Sequence, residues 1–352
     1  AALRDRNGIL LTRDLVNPGG NVYGEFYHGR SVLSVMAGQV DGKLLGTAPA
    51  ANYVLLRTED ANSEYIVEED NWVSGAEICD SIGCDVLNTS LGYTTFDDST
   101  QDHTYADLNG LTSHMTLAAD IATRKGMIPV NSAGNSGTSD WHYISIPADA
   151  FDILAVGAVD DDRVVANFSS RGPSADGRVK PDVSAVGLGT IGLDAGGENV
   201  AQINGTSFSS PLVAGLVTCL WQLHPDRTAH EIMDAVRRSA SRYDHPDDVL
   251  GYGIPDFWRA HLLLGGRDLT QLSAPTVLNV MPVPFTDFLD IEVYAGSEVH
   301  MDLEIHDVLG RRVWYTETGL EPNTYSRVRV QDDLLTRLRA GMYLVSVRVG
   351  DS

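Results

Sequence analysis

The stretch Ile203–Val217, INGTSFSSPLVAGLV, decides how the rest of the chain is read. Its first half is small and rich in hydroxyls. Ser or Thr suits a helix N-terminus, where a side-chain oxygen accepts bonds from the free amides of the first turn. Pro211 fits a first helical turn, because its missing N–H costs nothing there. The run Leu212–Trp221 is then apolar nearly all round, as in a helix buried on every side. Ser207 has two readings at this point: a hydroxyl at the start of a core helix, or a nucleophile.

Outward from that helix, the first 265 or so residues alternate short apolar runs with helical patterns. YVLLRT (53–58), DVLNTSLG (85–92), MIPVNSAGN (127–135) and ILAVGAVD (153–160) read as strands whose near-continuous apolarity predicts burial on both faces. Pro129 cannot donate to a ladder and marks the first residues of its strand. Between the strands, SHMTLAADIATRK (113–125) places Leu117, Ala118, Ile121 and Ala122 on one helix face and stops at Gly126. TAHEIMDAVRRSAS (228–241) opens with a capping box, Thr228 and Glu231. This alternation predicts an α/β fold with a doubly wound, mainly parallel sheet.

After GGRDLTQLSAP (265–275) the texture changes. FLDIEVY, VHMDLEIHD, RRVWYTE, YSRVRVQ and MYLVSVRVG alternate apolar with polar residues, the period of half-buried antiparallel strands, and DVLGRR (307–312) supplies a hairpin turn. Two domains are expected: an α/β domain over 1–266 and a small all-β sandwich over 274–352.

The chain has 25 Lys and Arg against 48 Asp and Glu, a formal charge of −23, which argues against nucleic-acid or anionic-membrane partners. No run is long or apolar enough to span a bilayer. Three cysteines do not make a disulfide framework, and without further Cys or His partners a zinc site is not expected. Cys219 reads as a small buried hydrophobe; Cys79 and Cys84 fit either a local bridge or two packed thiols.

In an open α/β sheet the ligand site lies at the carboxyl ends of the strands. There EFYHGRSVLSVMAG offers His28 at the start of a helix, NSAGNSG ends a buried strand on Asn135, and NTSLGY exposes Ser90, Leu91 and Gly92 as an edge for a peptide strand. Each alone has a plain structural reading. In this order, HGRSV, GTAP (46–49), NTSLG, SAGN, FSSRGP with KPDV (168–183), GTSFSSP (205–211) and GYGIPD (251–256) resemble the motifs of the subtilases, the subtilisin-like serine peptidases.

The resemblance implies that Ser207 is the nucleophile, His28 its general base, and Asn135 an oxyanion donor beside the Ser207 N–H. Ser90, Leu91, Gly92, Ala133 and Gly134 would line the substrate cleft. It implies peptide or protein substrates, no cofactor for the chemistry, and a structural calcium without an assigned site. An esterase reading fails, since Ser209 stands where the Gly-x-Ser-x-Gly motif needs its last glycine and the matched histidine lies upstream. Arg30 replaces the family's threonine after His-Gly. The family's aspartate, which ends a buried strand ahead of the histidine, has no match: Asp5, Asp14 and Glu25 read as solvated charges. The catalytic carboxylate is therefore expected upstream of residue 1, and the alternative is an inactive peptide-binding module. The β domain, through PVPF, DVLGRRV and LRAGMYLVSV, resembles the C-terminal sorting domains of the Bacteroidetes type IX secretion route. That implies a secreted or cell-surface bacterial protein, with secretion machinery as a partner.

Overall fold

The structure, a computed structural model, describes residues 8–24, 26–265, 275–281, 288–297, 300–322, 324–330, 338 and 341–350. It divides into two compact units, Ala1–Leu264 and Gly265–Ser352. Among the described residues no helix is long and apolar enough to cross a membrane.

The first unit begins with strand β1 (Ile9–Asp14) and helix α1 (His28–Ala37). A small hairpin of β2 (Gln39–Val40) and β3 (Leu44–Leu45) leads to β4 (Tyr53–Arg57), α2 (Val67–Ile82) and β5 (Val86–Thr89). Then come α3 (His114–Arg124), β6 (Ile128–Ser132), β7 (Leu154–Val159) and β8 (Val183–Val186). A hairpin of β9 (Thr190–Leu193) and β10 (Val200–Ile203) precedes α4 (Thr206–Leu223), α5 (Ala229–Ser239) and α6 (Phe257–Leu264).

Strands β5-β6-β7-β8 form one parallel sheet in that order. Side chains alternate across it, as the two-residue period of a strand requires. Ile128, Val130, Leu154 and Val156 face α4, α5 and α6, whereas Ala133 and Ala155 pack in the cluster that holds Trp72 of α2 and Met115 of α3. Helices thus cover both faces, and each buried Leu, Ile or Val adds roughly 1.5–3 kcal/mol. Pro129 is the second residue of β6, opposite Leu87, where one missing amide is tolerated in the parallel ladder. The Lys180-Pro-Asp-Val segment pins β8. Lys180, 2% exposed, donates to the Asp182 carboxylate at 2.9 Å and to the Ala150 carbonyl at 2.7 Å, and Arg237 of α5 meets the other Asp182 oxygen at 2.9 Å.

Four expectations are corrected. The helix over 114–124 buries Met115, Thr116, Ala119, Asp120, Ala122 and Thr123, while Leu117 and Ile121 are exposed. Its buried polar residues hold neighbouring loops: Asp120 accepts the Asp152 N–H, and Thr116 donates to the buried Asp149 carboxylate. Asp14 is buried, not a solvated charge. It ends β1, accepts the Val16 and Asn17 N–H groups at 3.1 and 2.8 Å, and pairs with Arg57 at 3.0 Å. Pro211 stands in the second turn of α4, not the first. Finally, β4 and β5 are mostly half-buried rather than covered on both faces. Among the described residues β4 pairs only with β1, in parallel, and β5 only with β6. Between them runs a groove of about 1580 Å³, walled by Val54, Leu55 and Leu56 on one side and Val86, Leu87 and Asn88 on the other.

The three cysteines are free thiols; burial and its neighbour Cys84 push Cys79 up to about 12.

The second unit holds two antiparallel three-stranded sheets. One is β11 (Thr276–Met281), β12 (Leu289–Tyr294) and β15 (Tyr325–Val330); the other is β14 (Arg312–Gly319), β13 (His300–Asp307) and β16 (Tyr343–Val349). Leu289, Ile291 and Val330 from the first meet Leu303 and Ile305 from the second in one core, which makes a sandwich. The β13–β14 hairpin turns at Gly310, with Asp307 accepting the Leu309 and Arg311 N–H groups. The PVPF segment lies outside the described residues, as do Asp5, Glu25 and part of LRAG.

Candidate active site

The N-terminus of α4 is built in an unusual way for a helix start. Its N-cap is Gly205, at φ 145°, so no side chain caps the helix from within. An L residue with a Cβ rarely adopts that φ, which explains the glycine. The free amide of Thr206 donates instead to Asn135 Oδ1 at 2.9 Å, and the Thr206 hydroxyl donates to the same oxygen at 2.9 Å. Thr206 Oγ1 in turn accepts the Gly134 N–H at 3.2 Å, and Gly134 sits at φ 110°. Asn135 thus serves as a cap from a neighbouring loop. With its oxygen committed, its amide NH₂ is the end left to face a ligand, and the residue is exposed.

Ser207 is the second residue of α4, 8% exposed, and its hydroxyl is not a cap. It donates to the Ser90 carbonyl at 3.3 Å, a long and weak bond that leaves the hydroxyl available. In return Ser90 Oγ donates to the Ser207 carbonyl at 2.9 Å. Pro211 explains that second bond. It has no N–H for the carbonyl four residues back, which is that of Ser207, so a donor from β5's extension takes the place. The Ser207 N–H belongs to the first-turn amides that a helix leaves without internal partners.

His28 is the first residue of α1. Val32 and Val35 of α1 pack on Phe208 of α4, and the His28 ring lies 6.0 Å from the Phe208 ring, centroid to centroid. The two helix starts are therefore brought together. Burial alone holds the imidazole below its ordinary 6.5. Among the described residues no carboxylate and no other hydrogen-bond partner meets its ring. Arg30 turns away: its guanidinium donates to the Ala195 carbonyl at 2.5 Å, in the β9–β10 hairpin.

Ser90 is buried, Leu91 half-buried and Gly92 exposed, in the segment that continues β5. Tyr93 then bridges to Ile146. Ala133 is fully buried, with its N–H given to Val156 and its carbonyl to Ser145, so it shapes the wall without a free hydrogen-bonding group. His28, Ser90 and Leu91 all border the groove between β4 and β5.

The arrangement thus joins a weakly held hydroxyl, an amide NH₂ and a helix N-terminus through Thr206 and Ser207, with the His28 ring 6.0 Å from that of Phe208 beside them. A helix start favours developing negative charge, and such a set suits acyl transfer. Sequence reasoning missed Thr206, the residue that orients Asn135. Its only signal was a hydroxyl placed directly before Ser207.

The subtilase family model matches residues 15–253, more than half of the chain. Serine protease AprX of Bacillus subtilis is 28% identical over 276 residues, covering 70% of this chain and 60% of that protein. Mouse membrane-bound transcription factor site-1 protease is 30% identical over 211 residues, covering 57% of this chain and 18% of that protein. The chain thus spans 60% of the first of these relatives and 18% of the second. Among solved structures, the self-cleaved protease domain of PatA aligns with a TM-score of 0.58 at 22% identity, covering 74% of this chain and 89% of that one. MycP1 from Mycobacterium smegmatis aligns with a TM-score of 0.54 at 19% identity, covering 72% and 79%.

Proposed function

The chain belongs to the subtilase family of serine peptidases, with the family's α/β fold, and from that premise we propose that it is the catalytic portion of a secreted endopeptidase. Ser207 attacks the scissile carbonyl, His28 takes its proton and returns it to the leaving amine, and Asn135 donates to the tetrahedral oxyanion beside the Ser207 N–H. The observation that carries this reading is the pair of bonds from Thr206 to Asn135 Oδ1. They fix an otherwise exposed amide with its donors turned outward at the start of the serine's helix. Substrate lies as an added strand along Ser90–Gly92, with Ala133 and Gly134 opposite.

The carboxylate that orients His28 lies on a strand outside the 352 residues. Two facts support this: His28 has no acid partner among the described residues, and His28 borders the groove lined by β4 and β5, each of which pairs in parallel with one other strand. A parallel strand seated there would pair with both neighbours and end beside the imidazole. Asp14, committed to Arg57 and two backbone amides, is not a substitute. The same lack of an acid favours, as second reading, a peptide-binding module without turnover.

Hydrolysis of a denatured protein substrate tests the first reading, using the protein extended upstream by the missing strand. Turnover should appear and vanish in Ser207→Ala with the thermal transition kept. Equal turnover in that variant ends the peptidase assignment.

The second unit is proposed as a type IX sorting domain that directs the protein to the cell surface or medium. Its antiparallel sandwich supports this. Removing residues 265–352 should retain the protein inside a host with that secretion route; undiminished export would refute the role.

A further inference from the structure

Away from Ser207, three carboxylates gather where β4 ends. Glu59 follows the strand, Glu64 lies in the loop to α2, and Glu68 stands in that helix's first turn. One oxygen from each lies within 4.8 Å of the others. Among the described residues none of the three makes an ion pair with Lys, Arg or His. Glu68 is only 3% exposed. Its Oε1 accepts the Asp60 N–H at 2.7 Å, but its Oε2 is buried with no hydrogen-bond partner. The buried Tyr93 hydroxyl and that of Thr58 both donate to Glu59 Oε1. A fourth acid, Asp97, accepts the Glu64 N–H at 3.2 Å.

Like charges confined together away from water repel, and an orphaned buried carboxylate oxygen forfeits its hydration without return. Burial, and then repulsion from Glu68, pushes the Glu59 and Glu64 carboxyls up. Something positive would relieve both defects at once.

We infer that Glu59, Glu64 and Glu68 form a calcium site that ties the end of β4 to the first turn of α2. The donor set is all oxygen, with no His or Cys, which selects a hard cation. Three protein carboxylates around one ion suit calcium, which takes six to eight oxygens in flexible geometry, whereas magnesium keeps several waters and takes one or two carboxylates. The ligands are spread over ten residues from Glu59 to Glu68, with a buried helical one at the end. This spacing follows none of the familiar loop patterns and explains why the sequence did not disclose it. Since Glu59 and Glu64 also border the groove that holds His28, Ser90 and Leu91, the ion would stiffen one wall of the site.

Isothermal titration of calcium chloride into the chelator-treated 352-residue protein tests this, with magnesium chloride as comparison. One saturable site is expected that prefers calcium, with a thermal midpoint that rises on adding calcium. Glu68→Gln and Glu64→Gln should each weaken binding at least tenfold and abolish the thermal response. Unchanged calcium affinity in variants that keep their circular dichroism overturns the site, as does absence of saturable binding in the parent protein. Equal preference for magnesium overturns the calcium assignment. Glu64 is half-buried, so its variant decides the matter should Glu68→Gln fail to fold.

Discussion

Replacing Asn135 separates chemistry from structure, because its two ends do different things. Its Oδ1 accepts both the N–H and the hydroxyl of Thr206, which is fully buried. Asn135→Ala removes that acceptor and leaves buried donors unsatisfied, at about 1–3 kcal/mol. In a unit of this size that is roughly 2–10 °C in the thermal midpoint. It also removes the NH₂ proposed to meet the oxyanion. For the corresponding asparagine of the family's namesake enzyme, that loss is known to cost about 10²–10³ in turnover. Asn135→Asp keeps the acceptor and its two bonds but replaces the donor with a negative charge. Its midpoint should stay within a degree or two of the parent, while turnover falls at least as far as in the alanine variant. The assay is turnover and KM on a peptide amide, in the upstream-extended protein, beside calorimetric midpoints for all three. Because the donor acts mainly in the transition state, KM should move little. If Asn135→Asp melts as low as Asn135→Ala, the Oδ1 bonds do not hold the loop. If turnover survives in both, Asn135 faces no oxyanion.

Three further outcomes follow from the geometry. Ser90→Ala should cost about 1 kcal/mol by orphaning the Ser207 carbonyl, and much less in a Pro211→Ala background, where residue 211 regains an N–H to supply the bond; additive denaturation energies would refute that pairing. Because burial holds His28 below 6.5, its nuclear magnetic resonance titration should lie below that value in the chain as it stands and move upward when the carboxylate strand is supplied. An unmoved titration would place the strand elsewhere. Asp14→Ala should destabilise the fold on the order of 3 kcal/mol by removing the Arg57 ion pair and the acceptor of the Val16 and Asn17 N–H groups. Burial raises the Asp14 pKa, but the Asn17 N–H and Arg57 outweigh it and leave it below 3.8. Its contribution is therefore present above that pH and fades as acid titrates the folded carboxylate; an acid-denaturation curve that shifts equally in Asp14→Asn and the parent would contradict this.

The sheet and most of its helices could be read from the sequence because burial leaves a period. Strands β6 and β7 are buried along their whole length, β7 with apolar residues only, and the α5 capping box appears as written. The face of α3 was misread because Thr116 is buried for its bond to the Asp149 carboxylate, and Asp120 and Thr123 for their bonds to loop backbone, a demand that hydrophobicity does not register. Strand β1 was missed because Arg13 and Asp14 make it look like a charged loop, although Asp14 finds its partner, Arg57, 43 residues away. Motif order singled out Ser207, His28 and Asn135, but not the bonds that hold Asn135 and Ser207 in place. The bonds of Thr206 to Asn135 and of Ser90 to Ser207 cross 71 and 117 residues, and no local pattern announces a contact of that kind. The glutamate cluster is hidden for the same reason, since its fit to an ion exists only once β4 and α2 are folded together.

The central claim is that Ser207 is an activated nucleophile awaiting only a carboxylate behind His28. The most direct measurement is the rate of covalent labelling by a fluorophosphonate, with the modified residue mapped by peptide mass. It should be run on the chain alone and on the protein extended upstream by the acid-bearing strand. The adduct should map to Ser207 and form about 10⁴-fold faster in the extended protein, the scale lost when a triad acid is removed. His28→Ala should abolish it in both. Labelling of Ser207 at the same rate with and without the strand, or no adduct there in either form, would contradict the account.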